Sequence, residues 1–294
     1  MWNAPVGRLV RVEGTDFKGS FAARRPTEYR HSLQDHPLLE IAAIADLADR
    51  LAKHSVVSER AVKPLLVPEG GPPRGAEPRP GDLIRDLENS DSWLTLLSIE
   101  QDPAYARLVD ACLEEVRPEI ERFPGDMRRR SGFIFVSSPN SVTPAHFDIE
   151  HSLIMQIMGS KKLTFGEFSS PKAREHEVTR YWDGSHGRIE SLPSESISYD
   201  LTPAVGAYIP PITPHWVHNG DAPSVSVTLT FFTRDTDDDT LIQSFNSRLR
   251  KFRISPKPPG RSTAMDRAKV AAMRIYALRR HLRRGDVEVS SRSH

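Results

Sequence analysis

The chain has 294 residues, of which 38% are hydrophobic, so it can bury a sizeable core, and we expect one main domain with helical additions. Its formal net charge of +1 gives no overall attraction to nucleic acid, and no apolar run reaches the roughly 18 residues that a membrane span needs. The single cysteine, Cys112, cannot form an internal disulfide and the N-terminus lacks an apolar signal segment, so a reducing cytoplasm is the expected compartment.

Residues 1–130 are predicted to form an N-terminal helical region. The stretch HPLLEIAAIADLADRLAK, residues 36–53, has apolar residues at helical spacing and a proline suited to a first turn. Residues 67–82, VPEGGPPRGAEPRPGD, are dense in Pro and Gly and predict an irregular connection. We expect two further helices, one around residues 93–97 and one that begins at the N-cap Asp102.

The pattern changes at Ser131, where short β-branched and aromatic runs alternate with Gly, Pro and Asn. Most of these runs are not separated by a helix-length crossover, so residues 131–234 predict an antiparallel sandwich or barrel rather than a parallel sheet. In the last run, Ser226, Thr228 and Thr230 alternate with apolar residues. This strand is expected to present its polar face to the mouth of the barrel.

Residues 235–294 are predicted to be helical again. Acids open the first of these helices and basic residues close it, as the helix dipole favours. The basic face of the last helix is interpreted as a solvated surface rather than a nucleic-acid site. Two apolar stripes either pack on their own chain or form a homodimer contact; they are Leu241, Phe245 and Leu249, and Ile275, Leu278 and Leu282.

The segment TPAHFDIEH places His146 and Asp148 two residues apart within strand-like sequence. Residues with this spacing point to the same side of a strand, so the imidazole and the carboxylate can bind one metal ion. His-x-Asp alone is a weak signal, and a solvated pair on a surface strand is the alternative. In ITPHWVHNG, His215 and His218 face opposite sides of an extended strand, and His215 is favoured as the third ligand. Other histidines, including His151, are expected at the surface or on the substrate side.

Lys161 follows the turn at Gly159 and adds a cation to this region. Its ammonium can pair with a carboxylate of a ligand that the metal holds. The alternative is that Lys161 and Lys162 are exposed edge residues, and one of them must be, because neighbours in a strand face opposite sides.

The motifs TPAHFD, GSKK, YIPP, PHWV and TLTFF together resemble the JmjC-like and cupin-type Fe(II)/2-oxoglutarate oxygenases, close in pattern to asparaginyl-hydroxylase-like cupins. The resemblance spans about residues 143–232 and implies a mainly β double-stranded β-helix, or jelly roll, with flanking helices. It implies that Fe(II) is bound by His146, Asp148 and His215. It also places 2-oxoglutarate on Lys161 with help from Thr143, and it puts Thr230 where the family often has an asparagine near the co-substrate.

The function implied is an Fe(II)-, 2-oxoglutarate- and O₂-dependent hydroxylase of a protein side chain or small molecule, rather than a demethylase. A non-catalytic cupin-like ligand-binding protein is the main alternative, and a cupin using another metal without 2-oxoglutarate is a third. Arg180, Tyr181 and Trp182 are expected either near the barrel mouth as a recognition surface or packed onto the sheet.

Overall fold

The computed structural model describes residues 9–12, 15–60, 65, 79–121, 126–185 and 187–290. For residues 59–60 and 280–290 the backbone alone is described. Most of the predicted connection at residues 67–82 and the side chain of Leu282 therefore lie outside the described part of the chain.

Two antiparallel sheets pack face to face. Within the described residues the strands are β1 (Val10–Arg11), β2 (Thr27–His31), β3 (Val56–Arg60), β4 (Ser92–Leu97), β5 (Arg128–Ser137), β6 (Val142–His146), β7 (His151–Met158), β8 (Lys161–Gly166), β9 (Ser196–Leu201), β10 (Val205–Ile209), β11 (His215–Asn219) and β12 (Ser224–Phe232). The larger sheet has the order β1-β2-β10-β7-β12-β5-β4-β3, and the smaller one has the order β6-β11-β8-β9. This architecture is a two-sheet jelly roll, which confirms the predicted fold class.

Helices flank the sheets before, within and after the jelly roll. In the described residues they are α1 (Phe17–Ala22), α2 (Ile41–Arg50), α3 (Pro80–Arg85), α4 (Pro103–Ile120), α5 (Pro171–Arg180), α6 (Arg234–Lys251) and α7 (Thr263–Ser290). The N-cap predicted at Asp102 is confirmed, because its carboxylate accepts a hydrogen bond from the backbone N–H of Ala104 at 2.9 Å.

The N-terminal region is not purely helical, which corrects the prediction for residues 1–130. Four of its segments are strands of the larger sheet, including residues 92–97, for which a helix was expected. Leu94 and Leu96 are both fully buried in the core, and they alternate with residues on the opposite face of β4. The apolar spacing in this segment therefore has the period of two that a strand requires.

The predicted alternation of polar and apolar residues along β12 is confirmed, and the two faces of the strand contact different cores. Val225, Val227 and Leu229 pack in the large core between the larger sheet and the helices. Thr228 pairs with Ile154, which belongs to the apolar cluster between the two sheets, so the polar face of β12 points into the barrel. All nine residues of β12 are buried, and the predicted polar face therefore lines the barrel interior.

The C-terminal helices pack on each other and leave apolar side chains at the surface. Val270 and Met273 of α7 are buried, whereas Ile275 and Leu278 are exposed. The homodimer contact that the sequence suggested through this face remains a prediction. No helix in the described part of the chain is long and apolar enough to cross a membrane.

Candidate functional site

Three side chains converge at one end of the smaller sheet. His146 is the last residue of β6, Asp148 lies two residues beyond it, and His215 is the first residue of β11 and pairs directly with His146. The two imidazole centroids are 4.3 Å apart, and His215 Nε2 lies 3.6 Å from Asp148 Oδ2. One nitrogen or oxygen from each side chain lies within 4.8 Å of the others. This spacing suits a single metal ion.

Backbone carbonyl groups select the same tautomer for both imidazoles. His146 Nδ1 lies 2.7 Å from the carbonyl oxygen of Pro144, and His215 Nδ1 lies 2.9 Å from the carbonyl oxygen of Thr213. A carbonyl oxygen only accepts hydrogen bonds, so each Nδ1 carries the proton and donates it. In the neutral ring this tautomer leaves the lone pair on Nε2, which is the form of histidine that binds a metal.

Burial keeps His146 neutral, while Asp148 remains accessible. Burial first, and then the neighbouring His215, lower the pKa of His146 to about 4. The side chain of Asp148 is 40% exposed, so the group of His146, Asp148 and His215 is open to the barrel mouth on the carboxylate side. His218, the alternative ligand, is exposed and pairs with Lys162 on the opposite face of the sheet.

Lys161 lies deeper in the barrel than the three converging residues. Only 6% of the residue is exposed, and its Nζ donates a hydrogen bond to Ser226 Oγ at 2.8 Å. Among the described residues no carboxylate pairs with it, and burial lowers its pKa to about 7. Its neighbour Lys162 is exposed and pairs with Asp200 at 2.9 Å, so the two lysines face opposite sides as the strand geometry required.

The interior around Lys161 contains polar atoms without partners. Within the described residues, the buried inward-facing side chains with an oxygen that makes no hydrogen bond include Ser152, Gln156, Asn219 and Thr228. Buried polar groups are normally paired, so unpaired oxygens along the interior that holds Lys161, a cation without an acidic partner among the described residues, indicate space for a polar ligand. A dicarboxylate fits this combination of one cation and many hydroxyl and amide groups.

Thr143 and Thr230 lie at different places along the barrel. Thr143 pairs with Val217, whose side chain belongs to the cluster between the sheets, so Thr143 shares the inner face. Thr230 is inward-facing and pairs with Ser152, near the start of β7 and therefore close in sequence to Asp148. It is four residues from Ser226, or roughly 13 Å along the strand, which places it at the mouth rather than beside Lys161.

Arg188 and residues 180–182 also have defined contacts near the predicted metal and co-substrate residues. Arg188 forms an isolated bridge with His146, and its positive charge contributes to the lowered pKa of that histidine. No periodic pattern in the sequence marks Arg188, because an isolated bridge belongs to no strand. Arg180 pairs with Glu177 and Glu190, and Tyr181 packs 5.6 Å from the ring of Phe147. These contacts favour the packing interpretation of residues 180–182.

A search of protein-family models finds no match, and no curated protein shows significant similarity. Among solved structures, the X-ray structure of Escherichia coli YcfD matches with a TM-score of 0.50 and 16% identity, covering 89% of this chain and 67% of that chain. A structure of YcfD described as a ribosomal oxygenase in complex with cobalt and 2-oxoglutarate matches with a TM-score of 0.46 and 17% identity, covering 92% of this chain and 68% of that chain. This chain thus spans about two thirds of the length of YcfD, and it has the jelly-roll fold of that protein.

Proposed function

We propose that the protein is an Fe(II)- and 2-oxoglutarate-dependent oxygenase that hydroxylates a protein side chain or a small molecule. One observation carries the proposal: the group of His146, Asp148 and His215 shares a barrel with Lys161, a buried cation that lacks an acidic partner among the described residues. A metal site alone has many uses, but a metal site near an unpaired interior cation suits a dicarboxylate co-substrate.

The donor set fits Fe(II). Two neutral imidazole nitrogens and one carboxylate are the ligands of the facial triad found in non-haem iron oxygenases, and they leave coordination positions open. Fe(II) bound there would supply O₂ activation coupled to the oxidative decarboxylation of 2-oxoglutarate. The Pro144 and Thr213 carbonyls would hold the two imidazoles in the metal-binding tautomer and orientation.

The barrel interior supports co-substrate binding. Lys161 would hold one carboxylate of 2-oxoglutarate together with the hydroxyl of Ser226, and Thr143 lies on the same inner face. The apolar cluster between the sheets, which includes Ile154, Leu163 and Val217, excludes water from this charge pair and therefore strengthens it. The exposed side of Asp148 leaves the substrate a route from the barrel mouth.

The proposal can be tested under anaerobic conditions. Addition of Fe(II) and 2-oxoglutarate is expected to produce the visible charge-transfer band of the bound keto acid. Lys161→Ala should weaken co-substrate binding, whereas the matched control Lys162→Ala, which alters the exposed neighbour, should not. His146→Ala should remove the band. A well-folded, iron-loaded wild-type protein without the band would reject the oxygenase and favour a non-catalytic binding protein.

A further inference from the structure

Five residues form one lateral row across the mouth end of the smaller sheet. Arg188 pairs with His146, His146 with His215, His215 with Phe165, and Phe165 with Ile197. Directly paired residues point to the same face of a sheet, so the five side chains face the same side. Neighbouring strands are about 4.8 Å apart, which places Arg188 and Phe165 roughly 14 Å from each other with the two histidines between them.

The Arg188 end of the row carries an uncompensated charge. Arg188 is half-buried, and within the described residues its guanidinium makes no hydrogen bond or ion pair. Glu177 and Glu190 pair with Arg180 at 2.6 and 3.0 Å, and Asp148, in the group that includes His146, lies 3.6 Å from His215. A half-buried guanidinium is a strong, bidentate binder of carboxylates, so this position suits an anionic ligand group.

The opposite end of the row consists of two apolar side chains that border a cavity. The ring of Phe165 lies 6.3 Å from that of His215, and Ile197 is 54% exposed although it faces inward. Both residues line a cavity of about 630 Å³, where Phe168 and Ile212 add further apolar surface and Arg24, Arg25, Arg174, Glu167 and Glu195 form a charged rim. A cavity of this size holds a small organic molecule or a few residues of a peptide.

We propose that the substrate is an amphipathic carboxylate, with its acid group on Arg188 and its apolar part against Phe165 and Ile197. The carbon between these two anchors would then lie over His146 and His215. This inference rests on the proposed function and narrows its substrate class. Lys161, at the inner end of the barrel, would hold one carboxylate of 2-oxoglutarate, and the metal would bind the keto acid end of that molecule. The carboxylate on Arg188 would therefore belong to the substrate.

Octanoate is a suitable probe, with octanamide as its neutral counterpart. Protein loaded anaerobically with Fe(II) and 2-oxoglutarate would be titrated with each, and the perturbation of the charge-transfer band gives the dissociation constant. We expect octanoate to bind better than octanamide. Arg188→Met should weaken octanoate binding about tenfold or more, the loss expected for a charge-assisted hydrogen bond, and Arg188→Lys should weaken it less. Arg107→Met, which alters an exposed arginine of α4, is the control and should change nothing.

The affinity for 2-oxoglutarate, measured on the same variants, separates the alternatives. Under the proposal, the affinity of Arg188→Met for 2-oxoglutarate stays within about twofold of the wild-type value. If Arg188→Met instead weakens the binding of 2-oxoglutarate, Arg188 binds the co-substrate and the proposal is wrong. Equal affinity of the wild type for octanoate and octanamide, with a normal band, would overturn this inference and leave the oxygenase proposal intact. Absence of the band in the wild type would overturn both.

Discussion

Replacement of Lys161 by methionine is expected to stabilise the ligand-free protein while abolishing its response to 2-oxoglutarate. Lys161 is buried, with Ser226 as its hydrogen-bond acceptor. Burial lowers its pKa from 10.5 to about 7. At about 1.36 kcal/mol per pKa unit, the charged ammonium costs the folded state roughly 5 kcal/mol at neutral pH. Methionine has a similar length and no charge, so it removes this cost.

The measured gain should be smaller than the full electrostatic cost, because relaxation and water entry already reduce that cost in the wild type. Replacing buried charged groups by apolar ones typically stabilises a protein by about 1 to 4 kcal/mol, and we expect a gain in this range. Urea unfolding at pH 7 gives the free energy of unfolding directly. Lys162→Met, which removes an exposed ion pair with Asp200, is the matched control and should change stability by less than about 1 kcal/mol.

Addition of a 2-oxoglutarate analogue such as N-oxalylglycine, with Mn(II), completes the assay. The wild type and Lys162→Met should gain stability with ligand concentration, as mass action requires, and Lys161→Met should not. Two results would refute the reasoning. One is a Lys161→Met protein that unfolds more easily than wild type without ligand; the other is one that N-oxalylglycine stabilises as strongly as wild type.

Three other predictions concern the metal ligands, a buried histidine and the C-terminal surface. His146→Ala or Asp148→Ala should lower succinate formation more than roughly a hundredfold. His218→Ala, on the exposed face of the sheet, is the control and should retain succinate formation. Full activity of His146→Ala or Asp148→Ala would contradict the assignment. Burial lowers the pKa of His151 from 6.5 to about 3, so the unfolded chain binds more protons below pH 6.5 and stability falls as the pH is lowered from there. His151→Phe should flatten this fall in urea-unfolding experiments, and an unchanged pH profile would refute it. Leu278 is 62% exposed on α7, and Leu278→Glu should dissociate the proposed homodimer; wild-type sedimentation as a monomer at high micromolar concentration would reject the dimer.

The proximity of His146, Asp148 and His215 could be predicted because much of its signal is local. His146 and Asp148 are two residues apart and therefore lie on the same side of the chain. His215 is distant in sequence, and the order of the family-like motifs was needed to associate it with the other two. The alternation of Ser226 with apolar residues likewise predicted an inward polar face. These features depend on the pleat of a single strand, which sequence spacing encodes directly.

The remaining features depend on partners that lie far apart in sequence. β4 was missed because its strand conformation is stabilised by pairing with β3 and β5, and short apolar runs do not by themselves distinguish a strand from a helix. His151 was expected at the surface, yet it is buried against Phe231 and hydrogen-bonds to Tyr208. Its environment is created by β10 and β12, which a local pattern cannot reveal.

The central position of β12 has a consequence for biosynthesis. β12 pairs with β5 on one side and with β7 on the other, although roughly ninety residues separate the end of β5 from the start of β12. At a translation rate of about 5 to 20 residues per second, β12 is synthesised several seconds or more after β5. During that interval both β5 and β7 have unpaired backbone edges, so the nascent chain is prone to aggregate and its yield should depend on chaperones that shield strand edges.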